Sequence, residues 1–540
     1  MVSIIPQTEV RLLKTPLEKD EEHTLSFNNI NSQISYFLSK TQKIYTEFTY
    51  QRETSSLVVP DSFDTINTCN YLMYKNNGFN NKYFYAFITK MEYVSENSTR
   101  IYFEIDSLQT WYFNINYNKC FVEREHVNDD TIGLHTVPEG LETGEYIDQP
   151  ITDNEKNSFN FFGTGEVPDC KIIVSVTQSG ISNIDSGVGR LYNSIYSGLI
   201  SVTFPSPSDA EIFMLYLDTK FSESPVVSVF MAPTSMANPD ITDWDSYTDP
   251  SDPLLSFRYK ALPYTTGLTS LSSPYLDKLS YLDQDYTPVN KKLLCYPYRY
   301  FLIDNNAGQC QEFMYEYFTG TSQNPNRCFF TISGSVSVGC SIKLRPINYL
   351  KYTGANNLYS IDASKLPTCS WVNDAYTNYL TANAVNIPMN YASSAINTLA
   401  NAGAGNYMGA VGNVMQIGGL IGELYAHSKM PMTAHGGVNN GDFNYSGKFS
   451  FNVYRKSIKK EFAQIIDGYF SAYGYKVNTY KVPNITGRRN WNYVRTVGCN
   501  FTGDIPQEDL QKIKDIFNKG ITFWHNSDNF LNYSVNNDII

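Results

Sequence analysis

The chain has only six histidines, and it carries no G-x-S-x-G, H-E-x-x-H or phosphate-cradling glycine motif. Nucleophilic, metal-hydrolytic and nucleotide chemistry therefore have little footing. Nine cysteines (Cys69, Cys120, Cys170, Cys295, Cys310, Cys328, Cys340, Cys369 and Cys499) are scattered, odd in number and without a C-x-x-C pair. That arrangement argues against a zinc site or a disulfide framework, and the cysteines read as small buried hydrophobes of a protein made in a reducing cytosol. No cofactor or metal is expected. The opening stretch MVSIIPQTEVRLLKTPLEKD lacks a basic region followed by an apolar run, so export by a signal peptide is not expected.

Charge is the largest deficit. Charged residues make up 17%, against about a quarter in an average soluble protein. The net charge of −12 argues against a grip on nucleic acid built on neutralising phosphates, which needs clustered Lys and Arg. A neutral or acidic wall still lets a polyanion slide past without sticking. The deficit is also local: between Asp374 and Asp442 only Glu423 and Lys429 carry formal charge, and residues 375–422 carry none.

What is abundant is aromatic. Aromatic residues reach 15% with 42 tyrosines, flat amphipathic side chains that suit β surface or subunit contact. A chain of 540 residues is long enough for one large core or several domains. Residues 1–155 read as short strands and turns. In YFYAFITKMEYV and IYFEID the aromatic and β-branched content is high, and the latter alternates Ile101, Phe103 and Ile105 with Tyr102, Glu104 and Asp106, one face buried and one wet. Residues 156–370 repeat the pattern in IIVSVTQ, LISVTF, VVSVFM, LLCYPYRYFLI and FFTISGSVSVGCSIKLRP, with long loops predicted over 233–254 and 263–290. From 442 to 540 the pattern is mixed. A helix is predicted over 457–473 with Gly474 as its cap, a second from Pro506 to Gly520, and strands in NWNYVRTV and GITFWHN.

The segment 371–441 fits none of these. NYASSAINTLANAGAGNYMGAVGNVMQIGGLIGELYA is apolar enough to enter a bilayer, where a span needs about 20 mostly apolar residues. Residues 407–426 have that length, although Asn413, Gln416 and Glu423 interrupt them. The pairs Gly405 with Gly409 and Gly418 with Gly422 stand four apart, the spacing at which helices approach closely in lipid. The candidate membrane-active residues are Tyr391, Ile396, Leu399, Gly405, Tyr407, Met408, Gly409, Val411, Val414, Met415, Ile417, Gly418, Leu420, Ile421, Gly422 and Leu424. Composition leaves open a glycine-rich loop or a pair of buried core helices.

Three further constellations have both a chemical and a plain reading. Glu104 and Asp106, two apart on one predicted strand face, could be offered as a glycosidase acid and base, but a wet strand face explains them. His126 lies near Glu123, Glu125, Asp129, Asp130 and His135, a mixture cations favour but with no ligand spacing that is recognised. Arg455, Lys456, Lys459 and Lys460, and Arg488 and Arg489 beside Trp491, could hold single strands, yet solvated faces or subunit contacts are the default.

The motifs KYFYAFITKMEY, YFEIDSLQTWYF, CFVEREHVNDD and VPEG, followed late in the chain by KKEFAQIIDGYFSAYGYKVN, RRNWNYVRT, GDIPQEDLQKIKDIFNKGITFWH and NYSV, occur in a specific order around the apolar segment. In this the chain resembles the tail-knob proteins of small short-tailed phages with protein-primed genomes that infect Gram-positive bacteria. The resemblance implies a mainly β protein with an α+β C-terminal part, a β-rich tube-wall protomer with a long apolar loop insertion, in which the C-terminal part packs with the N-terminal domain. It implies a homohexameric, non-enzymatic tail tube in the virion, attached to collar or adaptor proteins, through which phage DNA passes unread. The apolar loops would plug the lumen and, once released, enter host membrane lipid. The alternatives are a receptor-binding or cell-wall-degrading tail component, and a secreted pore-forming toxin, which would want a signal peptide.

Overall fold

The computed structural model describes residues 8–46, 55–76, 80–161, 170–185, 191–192, 195–196, 200–221, 225–234, 243–261, 269–305, 308–335, 341–351, 359–363, 368–371, 436–439 and 451–540. The chain divides into two compact units. The first joins Met1–Gly144, Tyr286–Pro297 and Lys460–Ile540, and the second joins Glu145–Asp285 and Tyr298–Lys459. Mainly β structure fills both, as expected.

In the first unit a six-stranded antiparallel sheet runs in the order Thr41–Tyr45, Thr8–Leu13, Tyr71–Asn76, Tyr83–Ser95, Ser98–Ile105, Ser56–Val59. The long hairpin Tyr83–Ser95/Ser98–Ile105 forms where aromatic and β-branched residues fit a half-buried pleat. Its Ala86, Ile101 and Phe103 pack with Val10, Leu12 and Leu72. Asp106 departs from the expected wet face. The strand ends at Ile105, and Asp106 turns inward to cap the helix Ser107–Trp111 through its bond from Gln109 N (2.9 Å). A second helix unforeseen in this half, Ile30–Ser39, starts with a capping box between Asn29 and Ser32.

A five-stranded sheet combines both ends of the chain in the order His23–Leu25, Ile521–Trp524, Trp491–Val497, Cys120–Glu125, Tyr475–Lys481. The helix Gln507–Lys519 covers it with Ile513 and Phe517 against Val122, Val494 and Phe523, an apolar stripe at helical spacing. The helix Lys460–Tyr473 begins later than predicted because Ser457 and Ile458 belong to the strand Asn452–Ile458. It ends at Gly474, whose φ of +64° and whose missing Cβ, which would lie 2.2 Å from the Glu125 carbonyl oxygen, both require glycine. Many tyrosines serve the core rather than a surface: Tyr71 and Tyr85 pack on Phe37 and Trp524.

The second unit is built on a seven-stranded antiparallel sheet, in the order Asp245–Thr248, Ser256–Ala261, Ile200–Phe204, Cys170–Val176, Val226–Pro233, Thr368–Trp371, Gly436–Asn439. The helix Pro207–Lys220 packs Phe213, Tyr216 and Leu217 into the same core. Its start signals, Ser206 as cap, Pro207 in the first turn and Asp209 bonded to the cap, are legible in the sequence but were overridden by the β reading of that region. The predicted loops 233–254 and 263–290 contain short strands, Asp245–Thr248, Thr269–Ser272 and Tyr275–Asp277. LLCYPYRYFLI is strand only from Arg299, because Lys291–Leu294 forms a 3-10 turn. Arg299–Asp304 pairs with Asn452–Ile458, which pairs with Tyr146–Gln149 on its other side.

Candidate functional site

Residues 372–435, and with them every candidate membrane-active residue from Tyr391 to Leu424, lie outside the described residues. What is described is the root of that segment. Thr368–Trp371 adds to the sheet by pairing antiparallel with Val226–Pro233, Val229 standing opposite Cys369. Gly436–Asn439 then pairs antiparallel with Thr368–Trp371 as the last strand, with Trp371 and Gly436 as register partners. Partners in an antiparallel ladder have Cα atoms about 5 Å apart, so the almost uncharged segment leaves and re-enters the sheet at one place. The ladder fixes both ends of the insertion while every other strand of the sheet is made without it. Nothing in the composition of the chain pointed to this junction, because GGVN reads as a turn when its partner strand is unknown.

The constellations predicted from sequence are placed otherwise than their chemistry needs. Glu104 faces solvent and pairs with Lys19, and with Lys512 at 3.8 Å, whereas Asp106 is buried and accepts from Tyr71 Oη at 2.9 Å. Burial pushes the Asp106 carboxyl up to about 6, but it shares no solvent-facing surface with Glu104, and the pair cannot flank one substrate. His126 is buried with both ring nitrogens engaged: Nδ1 accepts from Tyr493 N (2.7 Å) and Nε2 donates to the Ser471 carbonyl (3.1 Å). That fixes a neutral tautomer with no lone pair left for a cation. Glu123 pairs with Arg495 at 3.2 Å, Asp130 binds Tyr475 Oη at 2.6 Å, and His135 bonds the Asp129 carbonyl at 2.7 Å. Among the described residues no group of three or more His, Cys, Asp or Glu side chains is placed to hold a metal ion.

The basic clusters are corrected as well. Arg455 and Arg488 are buried, not solvated. Arg455 reaches Glu155 at 2.6 Å and the Pro150 carbonyl at 2.8 Å, and Arg488 donates to the carbonyls of Val127 (3.1 Å) and Asn537 (3.3 Å). Lys456 pairs with Asp148 at 2.7 Å and Lys459 with Glu145. Trp491 is in the core, so no stacking platform for bases exists there. Of the cysteines described, Cys69, Cys120, Cys295, Cys328 and Cys499 are buried as expected, while Cys310 is exposed.

Burial depresses two histidines, His126 to about 3 and His525 to about 4, from an ordinary 6.5. The unfolded chain protonates both below pH 6.5 and the folded chain does not, so stability is lost as pH falls toward 4. Asp106 acts the other way: raised to about 6 from 3.8, its folded form takes up a proton that the unfolded form does not. Between pH 6 and pH 4 the three groups leave a net uptake of about one proton on unfolding, a loss of roughly 1.4 kcal/mol per pH unit. Urea unfolding across that range should show this slope, and Asp106→Asn should about double it.

Three comparisons bear on the geometry. The family described as "Bacillus phage phi29, Tail knob protein gp9, C-terminal domain" matches residues 264–538, which is half of the chain. The chain belongs to this tail knob family. A second family, "Caudoviral major tail protein N-terminus", matches residues 6–116 of the knob chain, the part that holds the six-stranded sheet. The tail knob proteins gp9 of Bacillus phage PZA and of Bacillus phage phi29 are each 27% identical to it, over 98% of this chain and 98% of theirs. The bacteriophage C1 tail knob protein, gp12, shares the fold at a TM-score of 0.59 and 14% identity, covering 99% of this chain and 100% of that one. The knob chain is thus a component of the phage tail, in the virion, and its mainly β architecture is that of a tail knob.

Proposed function

We propose that this tail knob chain forms the distal tube of the tail, a hexameric conduit for DNA ejection whose lumen is closed by residues 372–435 until they are released into the host cytoplasmic membrane. The observation that carries the reading is the pairing of Trp371 with Gly436, which makes an almost uncharged segment a side excursion from a complete sheet. An excursion rooted in one ladder can exchange a stored state for a lipid-bound one without disturbing the wall that holds it. Transfer of its apolar surface into hydrocarbon supplies the drive, at about 25 cal/mol per Å². The net charge of −12 supports passage of DNA without adhesion, and the role needs no catalytic residue, only collar or adaptor partners and other copies of the chain.

The same register defines the test. Replacing 372–435 by an Asn-Gly dipeptide joins two facing strand ends by a two-residue hairpin turn. This variant should assemble and unfold like the parent, while dye release from phosphatidylglycerol-containing liposomes falls to background. Dye release at the parent's level by the shortened, assembled chain would refute the membrane role.

A further inference from the structure

We infer that the second unit holds a structural monovalent anion, of chloride's size, between the guanidinium groups of Arg299 and Arg455. The strand register sets the two arginines on one inner face: Arg299 lies opposite Ser457, and Phe301 opposite Arg455, which places the arginines diagonally across neighbouring strands. Both are closed off, Arg299 at 1% and Arg455 at 2% exposure, as is Tyr315 against Arg299 at 1%. Arg299 Cζ lies 4.0 Å over the Tyr315 ring, and its Nη1 donates to the Leu279 carbonyl. Its Nε and Nη2 meet no acceptor in hydrogen-bonding geometry, nor does Arg455 Nε, and the Tyr315 hydroxyl, though close enough to the Arg299 guanidinium to feel its charge, makes no well-aligned bond either.

The local charges do not balance. Glu155 is the carboxylate that reaches this face, and both its oxygens are occupied, Oε1 by Arg455 and by Asp277 N (2.9 Å), Oε2 by Thr152 N and Oγ1 (3.0 Å each). Asp277 is matched by Arg327 at 2.8 Å. The buried Cys328 thiol is pushed up to about 12 by burial and contributes no charge. Arginine cannot shed its proton, and an isolated cation in a closed interior is strongly unfavourable, so one negative charge is required that the described side chains do not supply. The cation–π contact offsets only part of that cost. Exposures of 1–2% exclude a side chain from a second copy or a polyatomic metabolite, and leave a small inorganic anion enclosed on folding, taking N–H donors from both arginines and the Tyr315 hydroxyl.

Chloride is the probe. At constant ionic strength, exchanging gluconate for chloride should raise the unfolding midpoint of the full chain by roughly 2–4 °C per tenfold chloride above the dissociation constant. Arg299→Met, which removes the surplus charge, should flatten that dependence. A midpoint indifferent to chloride, or an equal chloride response in Arg299→Met, overturns the inference. Should that variant not fold, crystals of the parent grown in bromide decide it: an anomalous peak within hydrogen-bonding distance of Arg299 and Arg455 supports the site, and no peak there overturns it.

Discussion

Glu139→Ala should destabilise the first unit by about 3–5 kcal/mol, the cost of leaving buried cations without their counter-charge. The Glu139 side chain is 1% exposed and pairs with both Arg124 and Lys292, while Oε1 also accepts from Lys476 N at 3.0 Å. Arg124 stands on the strand Cys120–Glu125 and donates to the Gly474 carbonyl at 2.7 Å. Lys292 arrives from the excursion Tyr286–Pro297, its ammonium held low by burial and kept charged by the Glu139 carboxylate. One carboxylate thus ties together three distant stretches of sequence. Asp467 secures the same excursion with bonds from Tyr286 Oη (2.7 Å), Val289 N (2.8 Å) and Asn290 N (2.9 Å). Urea unfolding measures the loss, and amide exchange should rise first at residues 286–297. A change below about 1 kcal/mol would show that water reaches Arg124 and Lys292 freely. Replacing all three charged residues by Met together should cost far less than Glu139→Ala alone, because the desolvation penalty leaves with the charges.

The second large effect belongs to Glu155, for which Ala should cost the second unit about 3–5 kcal/mol. Its side chain and that of Arg455 are each 2% exposed, and their contact at 2.6 Å spans some three hundred positions of chain. Ala would strand Arg455 next to Arg299, and would also remove the capping box with Thr152 that starts the helix Asp153–Ser158, worth about 1 kcal/mol. Thermal unfolding of Glu155→Ala against Arg455→Met separates the two terms. The methionine variant keeps volume and the cap, and the carboxylate it leaves keeps its bonds from Asp277 N, Thr152 N and Thr152 Oγ1, so it should be the milder of the two. Equal losses would mean that the broken ion pair, common to both variants, dominates and that the cap contributes little.

Several elements were legible because their causes are local. Tyr83–Ser95, Ser98–Ile105 and Trp491–Val497 follow from dense β-branched and aromatic residues, and Gln507–Lys519 from its start at Pro506, its stop at Gly520 and apolar positions spaced by three and four. The helix Pro207–Lys220 was missed although Ser206 and Pro207 announce it, because strands on either side set the expectation for the region. Asp106, Arg455 and Arg488 were misplaced for a different reason. A charge reads as surface until its partner is known, and their partners are remote in sequence: Tyr71 for Asp106, Glu155 for Arg455, and the carbonyls of Val127 and Asn537 for Arg488.

By itself the sequence determined the class of protein: a β-rich chain short of charge and catalytic motifs, with one uncharged segment unlike the rest and motifs of a phage tail knob in order around it. Periodicity, composition and motif order are properties of neighbouring residues, so they survive without a fold. Only the tertiary structure decided that Trp371 meets Gly436, that Glu139 and Glu155 neutralise buried cations, and that Arg299 lacks such a partner. Strand register and the desolvation of a charge depend on which remote segments come together, and no local pattern encodes that.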